Sequence, residues 1–249
     1  MSDNCTPIYY CQTLLCPAIS MCHKYYNSGI IFVMKSTIRK STFMAMYRLL
    51  DRVSPVDFDC GKLCGCACCV PERSEDTDDL GIYLLPGEEK IFTGNEDWIT
   101  WNYDYAEDYE FPDSWSGKVW FLSCNTPPVC DRKKRPLQCR TYPVAPHILQ
   151  FDSDRKSDHA QDNDEKLILI LSDLAAPYSC PLIEAGENNS SCQDEGSRLI
   201  LNERFLKATC TVWSRLIKDP LIHDLVKMDS EDRDFFIPVY PYNSLDDIF

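Results

Sequence analysis

The sequence predicts an α+β fold with a small, irregular, cysteine-rich metal-binding core, short strands and C-terminal helices. Three observations lead to this prediction: a segment with five cysteines in ten residues, short alternating runs typical of strands, and two C-terminal stretches with helical periodicity. Of the 249 residues, 44% are hydrophobic and 12% are aromatic, so the chain can bury a sizeable core.

The elements expected in the first half of the chain are short. Residues 44–53 have the periodicity of an amphipathic helix, with one apolar face. Residues 81–85, 99–105 and 118–123 alternate as strands do, and residues 87–92 could begin a helix after a Pro-Gly turn.

The second half predicts a hairpin and two helices. Residues 147–151 and 166–171 have the pattern of paired strands joined by a charged loop. Residues 199–216 and 220–228 have helical periodicity. In the first of these helices we predict a buried apolar stripe made of Leu201, Phe205, Ala208, Val212 and Leu216.

The composition changes near residue 45. Residues 1–45 carry four irregularly spaced cysteines and a single acidic residue, Asp3. We predict that residues 1–45 are a poorly packed N-terminal extension, and the alternative is a second metal-binding arm. Residues 46–249 are predicted to form a single cysteine-cluster domain.

The net charge is −14, from 39 acidic and 25 basic residues. This balance argues against nucleic acid as a partner, because phosphate backbones attract basic surfaces. We favour a solvated acidic surface, and an unknown protein partner is possible. No apolar run approaches the length of about 18 residues that a membrane span needs. Residues 1–22 lack the pattern of a signal peptide, so we expect a cytoplasmic protein with reduced thiols.

The most informative segment is residues 60–69, which we call the cysteine segment. Cys60, Cys64 and Cys68 recur every four residues, as on one face of a helix, but Gly61 and Gly65 favour a loop in which several sulfurs converge. Crowded thiolates repel one another, and a bound cation relieves that repulsion. The spacing therefore predicts a metal centre, either zinc or an iron–sulfur cluster.

A second cysteine-containing region follows later in the chain. Cys130 precedes the string Arg135-Pro-Leu-Gln-Cys139-Arg140-Thr-Tyr-Pro143. Arg135 and Arg140 are candidates for stabilising the negative charge of a thiolate centre. The alternative for Arg140 is an ion pair with the acidic residues 72–113.

Together, the cysteine segment, the isolated Cys130 and the Arg-Pro-x-x-Cys-Arg-x-Tyr-Pro string resemble the YkgJ-type cysteine-cluster family, described as a zinc- or iron-chelating domain. The resemblance covers roughly residues 57–182. This sequence departs from the family pattern in its first spacing, three residues rather than two, and in the additional Cys66. The resemblance implies metal ligands among Cys60, Cys64, Cys68, Cys69, Cys130, Cys139 and Cys180, with Cys124 as a weaker match.

Two other functions were weighed against metal binding. The chain is also similar to the cysteine-rich part of flagellin lysine N-methylases, which implies a protein lysine N-methylase-like enzyme as the alternative. A thiol-exchange or disulfide-stabilised protein is disfavoured by the odd number of cysteines, 15, and by the missing export signal. Among the histidines, His147 is the best ligand candidate. The tryptophans and tyrosines between residues 98 and 120 are expected to be core rather than a substrate groove.

Overall fold

The computed structural model contains α-helices and two antiparallel sheets, so the mixed α+β class is confirmed. The residues that the structure describes are 35–58, 60, 62, 65, 81–125, 132–150, 165–172, 180, 182–183 and 201–241. Within this part of the chain, no helix is long and apolar enough to cross a membrane.

The first sheet has three antiparallel strands in the order β1-β3-β2. These are β1 (Gly81–Tyr83), β2 (Ile99–Tyr105) and β3 (Lys118–Cys124). Directly paired residues lie on the same face of an antiparallel sheet. One face therefore carries a small apolar cluster of Ile82, Leu84, Ile99 and Leu122, partly covered by Phe92, Trp98, Trp101 and Trp120.

The second sheet also has three antiparallel strands, in the order β4-β5-β6. They are β4 (Val144–Gln150), β5 (Glu165–Leu171) and β6 (Pro238–Tyr240). The predicted hairpin is confirmed, because β4 and β5 pair along their whole length. Continuous apolar runs in both strands are buried in the main core.

Four helices are described: α1 (Lys40–Leu50), α2 (Leu137–Thr141), α3 (Glu203–Leu216) and α4 (Pro220–Glu231). The side chain of Asn202 caps α3 by accepting a hydrogen bond from Arg204 N (2.9 Å). All five residues of the predicted apolar stripe are buried, four of them on α3 and Leu201 just before it, which confirms that prediction.

Two elements differ from the sequence prediction. Residues 88–91 form a short 3-10 helix (Glu88–Ile91) rather than the start of an α-helix. Helix α1 begins four residues earlier than predicted and ends at Leu50. Its buried face comprises Phe43, Met46, Tyr47 and Leu50, which are spaced at i, i+3, i+4 and i+7 as a helix contacting a core requires.

The predicted loose extension is wrong for its last eleven residues, 35–45. Ile38 and Phe43 lie in the main core, and Phe43 is completely buried. Asp219 accepts hydrogen bonds from Ser36 Oγ (2.9 Å) and Thr37 N (2.6 Å), which tie this stretch to the start of α4. Residues 35–45 contain no acidic residue of their own. They are held by apolar contacts with the main core and by the carboxylate of Asp219, which comes from a distant part of the chain. Residues 1–34 lie outside the described part, and their packing stays a prediction.

Candidate functional site

The proposed ligands are only partly within the described residues. Cys60 is half-buried against the main core, Cys139 is exposed on α2, and Cys180 is buried within the apolar core. The other candidates lie outside the described residues: Cys64, Cys68, Cys69 and Cys130. Among the residues that are described, no group of three or more histidine, cysteine or acidic side chains is arranged to hold a metal ion.

Helix α2, which carries Cys139, is held at its first residue by a buried acid. Glu88 has no exposed surface, and its Oε1 accepts a hydrogen bond from Leu137 N (2.7 Å). Its Oε2 accepts from Leu85 N (3.2 Å). Gly87, at φ 89°, makes the left-handed turn that directs Glu88 inward. One carboxylate therefore satisfies backbone donors from two segments that would otherwise be buried without partners.

Tyr47 of α1 completes the environment of Glu88. Its hydroxyl donates to Glu88 Oε1 at 2.5 Å, across 41 residues of sequence. Burial raises the pKa of Glu88, and the hydrogen bonds from Tyr47, Leu137 and Leu85 oppose that shift. The pKa of Tyr47 is also raised, first by burial and then by the negative charge of Glu88. The hydrogen bond between Tyr47 and Glu88 is therefore a buried contact between α1 and the turn that holds the start of α2.

Arg140 makes a second contact between the same helices. Its side chain is 1% exposed, and the guanidinium lies 4.2 Å from the centroid of the Tyr47 ring. It forms an ion pair with Asp51, the residue that ends α1. Its Nε donates to Arg135 O (2.5 Å), and a terminal nitrogen donates to Lys133 O. The fork of the guanidinium is thus directed at three acceptors, an arrangement that lysine cannot reproduce.

The two candidate arginines have different positions. Arg140 forms an ion pair with Asp51, which lies outside the acidic residues 72–113, and no ion pair of Arg140 with the described residues 81–113 is present. The charge of Arg140 nevertheless lowers the pKa of Glu88, which belongs to that acidic range. Arg135 is half-buried, and its backbone carbonyl is an acceptor for Arg140. Two other acidic residues that are candidate partners of these arginines, Asp59 and Asp131, lie outside the described residues.

These contacts bring the Cys139 region close to the approach of the cysteine segment. Cys139 is next in sequence to Arg140, whose guanidinium contacts the Tyr47 ring of α1 and Asp51. Asp51, which binds Arg140, precedes Cys60 by nine residues. Between them, Val56 is buried and Pro55 O accepts from Asn202 N (2.7 Å). The chain entering the cysteine segment is therefore fixed to the same body that holds Cys139.

Of the remaining candidates, His147 and Trp115 pack as interior residues, but the expectation that the aromatic residues between 98 and 120 are core is wrong for Tyr103 and Tyr105, which are exposed. The buried His147 ring lies 4.2 Å from that of Phe236, and Trp115 stacks on Phe111 at 5.0 Å. Cys124 is half-buried at the end of β3.

Sequence reasoning missed Tyr47, Asp51 and Glu88 as partners of Arg140 and its helix. For Glu88, the preceding Pro86-Gly87 turn was a usable signal, because it ends the strand and turns the chain back.

Comparison with family models, with curated proteins and with solved structures finds no match for this chain. The resemblance to the YkgJ-type family therefore stays a prediction that rests on the residues described above.

Proposed function

We propose that this chain is a cysteine-cluster protein that binds zinc or an iron–sulfur cluster. The proposed ligands come from the cysteine segment, namely Cys60, Cys64 and one of Cys68 and Cys69, together with Cys130 and Cys139. Cys180 is buried among apolar side chains of the main core, so the proposal does not depend on it.

The observation that carries the proposal is that Cys139 is exposed on a helix whose other contacts are buried. Its thiol is exposed, yet both neighbouring contacts of its helix are buried: Leu137 N bonds to Glu88, and Arg140 bonds to Asp51. An exposed thiol on a rigid support loses little conformational entropy when it binds a metal. Arg140 follows Cys139 in sequence, and its ion pair with Asp51 holds the guanidinium in position. A positive charge near a thiolate centre would offset part of the negative charge of that centre.

Each candidate metal has its own chemistry at such a centre. Zinc takes four ligands in a tetrahedral arrangement, with thiolate sulfurs about 2.3 Å from the metal, and is a structural ion when all four are protein groups. An iron–sulfur cluster also uses cysteine thiolates, and its hydrogen-bonding surroundings set its reduction potential. The lysine N-methylase-like alternative rests on the resemblance alone and stays a prediction, as do the cytoplasmic location and the expectation that nucleic acid is not a partner.

The first experiment is metal analysis of the full chain purified without oxygen. We expect either stoichiometric zinc in a colourless protein or iron with sulfide in a brown one. Cys139→Ala should lose most of that metal. Cys210→Ala is the matched control, since Cys210 lies on α3 beside Ser214 (3.9 Å) and burial raises the pKa of its thiol.

Retention of metal in Cys210→Ala together with loss in Cys139→Ala would support the proposal. Absence of zinc and iron from the anaerobic wild-type protein would overturn it, and so would equal metal content in the two variants.

A further inference from the structure

The outer part of one face of the first sheet is aromatic and exposed. Tyr103 and Tyr105 on β2 are 45% and 39% exposed. Their direct partners on β3 are Trp120 and Lys118, so all four side chains lie on the same face. We call these four residues the aromatic face. The aromatic face lies next to the small apolar cluster on the same face of this sheet, toward the end of β3 that is opposite Cys124.

The rings of this face meet edge to face rather than stacking. Tyr103 lies 5.8 Å from Tyr105 and 6.0 Å from Trp120, with nearly perpendicular planes. Trp120 in turn lies 5.4 Å from Trp101. The negative potential of an aromatic ring face attracts cations, and Tyr103 and Tyr105 are partly exposed to solvent.

One of these rings already holds a cation from the chain itself. The ammonium group of Lys118 lies 3.7 Å from the centroid of the Tyr103 ring. This distance is well inside the range of about 6 Å in which cation–π attraction is significant. The contact shows that the geometry of this face suits a lysine side chain.

The charge around the aromatic face has the sign that a cation requires. The segment that contains β2, residues 89–113, carries eight acidic residues and one basic residue, Lys90. Glu96 lies beside the aromatic residues, since its Oε2 accepts a hydrogen bond from Trp101 Nε1 (3.3 Å). The pKa of Glu96 is lowered by hydrogen bonds from Thr93 and Trp101 that outweigh its slight burial, so its carboxylate is charged at neutral pH.

Among the strands that the structure describes, the one that carries the two tyrosines is at the edge of its sheet. In the order β1-β3-β2, the seven-residue strand β2 pairs within this part of the chain with β3 alone. An edge strand can pair its outward N–H and C=O groups with an extended polypeptide, and every second side chain of that polypeptide then lies on one face. A free amine cannot make these backbone contacts.

We propose that β2 and the aromatic face bind an extended basic polypeptide segment, in which alternate lysine or arginine side chains contact Tyr103, Tyr105 and Trp120. This surface is separate from the proposed metal centre, and it does not depend on that proposal. Lys118 occupies the site in the absence of the partner and is displaced when the partner binds.

Titration calorimetry of the full chain at physiological ionic strength tests this proposal, because such salt screens long-range attraction. The probe is a peptide of the length of β2 in which lysine alternates with serine. The control probe has the same composition with its lysines in one block. A polyamine such as spermidine supplies the cations without a peptide backbone. We expect the alternating peptide to bind several-fold more tightly than either control.

Variants of the chain separate the aromatic face from general acidity. The double variant Tyr103→Leu/Tyr105→Leu should weaken binding about five-fold or more, as expected for losing two exposed cation–π contacts. Phe235→Leu, which removes an aromatic ring that is 70% exposed elsewhere, should leave affinity unchanged. Lys118→Met should tighten binding more than Lys207→Met, which removes the same charge from an exposed position on α3.

Several results would overturn the proposal. These are failure of the alternating peptide to bind, equal binding of the blocked peptide or of spermidine, and equal affinity of the double tyrosine variant and wild type. Equal effects of Lys118→Met and Lys207→Met would show that charge alone, and not an occupied ring, controls the affinity.

Discussion

Replacing Glu88 by glutamine should destabilise the protein although it changes the side chain very little in size. The carboxylate accepts three hydrogen bonds, from Tyr47 Oη (2.5 Å), Leu137 N (2.7 Å) and Leu85 N (3.2 Å). Glutamine has one acceptor oxygen, so its amide N–H₂ must face at least one of these donors.

The magnitude follows from the number of groups left without partners. If the amide oxygen takes the place of Oε1, the amide N–H₂ and Leu85 N both become buried donors without an acceptor. Each such group costs about 1–3 kcal/mol. Removing a buried charge offsets part of this cost, because burial disfavours the ionised form of Glu88. We therefore expect a loss of about 2 kcal/mol in the free energy of unfolding.

Urea unfolding followed by circular dichroism measures this loss, provided that the slope of the transition is unchanged. Glu203→Gln is the matched control. Glu203 is exposed and pairs with Lys207 at 2.6 Å, and removing an exposed surface pair of this kind changes stability little. Tyr47→Phe should also destabilise the protein. Combining it with Glu88→Gln should cost less than the sum, because the two variants remove one shared hydrogen bond. A Glu88→Gln protein as stable as the Glu203→Gln protein would refute the reasoning.

Three further predictions concern other parts of the chain. Arg140→Ala should release metal to a chelator faster than Arg140→Lys, and both should release it faster than wild type; equal release from wild type and Arg140→Ala would remove this arginine from the proposed centre. The hydrogen bond from His223 (2.7 Å) lowers the pKa of Glu165. The stabilising effect of this hydrogen bond is therefore present above pH 4.5 and is lost as the pH falls through the lowered pKa of Glu165. Glu165→Gln should flatten the acid side of the curve of unfolding free energy against pH, and an unchanged curve would contradict this. Asp219→Asn should loosen residues 36–37 and speed tryptic cleavage at the basic residues that flank them; cleavage at the wild-type rate would show that this contact is dispensable.

The secondary structure was most predictable where periodicity was long and regular. The prediction for residues 99–105 coincides with β2, and that for residues 118–123 is one residue shorter than β3. The order β1-β3-β2 was not predicted, because pairing between strands depends on packing partners that no local pattern contains. Helix α1 was placed four residues late because the composition of residues 1–45 hid the apolar spacing that begins at Phe43.

The candidate site was predictable in its residue types but not in its contacts. Cys139 and Arg140 were found from the string that contains them. The partners of this helix were not, since Glu88 is 49 residues from Leu137 and Asp51 is 89 residues from Arg140. Sequence spacing reports neighbours within one element, whereas these contacts depend on how α1, the Glu88 turn and α2 pack together. For the same reason, convergence of Cys60 with Cys139 stays a prediction.

Two buried acids among the described residues, Glu88 and Asp219, explain why the compositional change near residue 45 does not coincide with a structural boundary. Asp219 caps α4 through Leu221 N (3.2 Å) and also binds Ser36 and Thr37, just before α1. Glu88 binds the first N–H of α2 and also the Tyr47 hydroxyl, within α1.

Each carboxylate therefore serves a helix terminus and α1 together, and the ion pair of Arg140 with Asp51 adds a third contact at the end of α1. Removing residues 35–51 would leave both acids buried with fewer donors and Arg140 without its carboxylate, and unpaired buried charge is far more costly than the contacts alone suggest. Helix α1 is for this reason a necessary part of the support for Cys139, although its first six residues, 40–45, belong to the compositionally distinct N-terminal stretch.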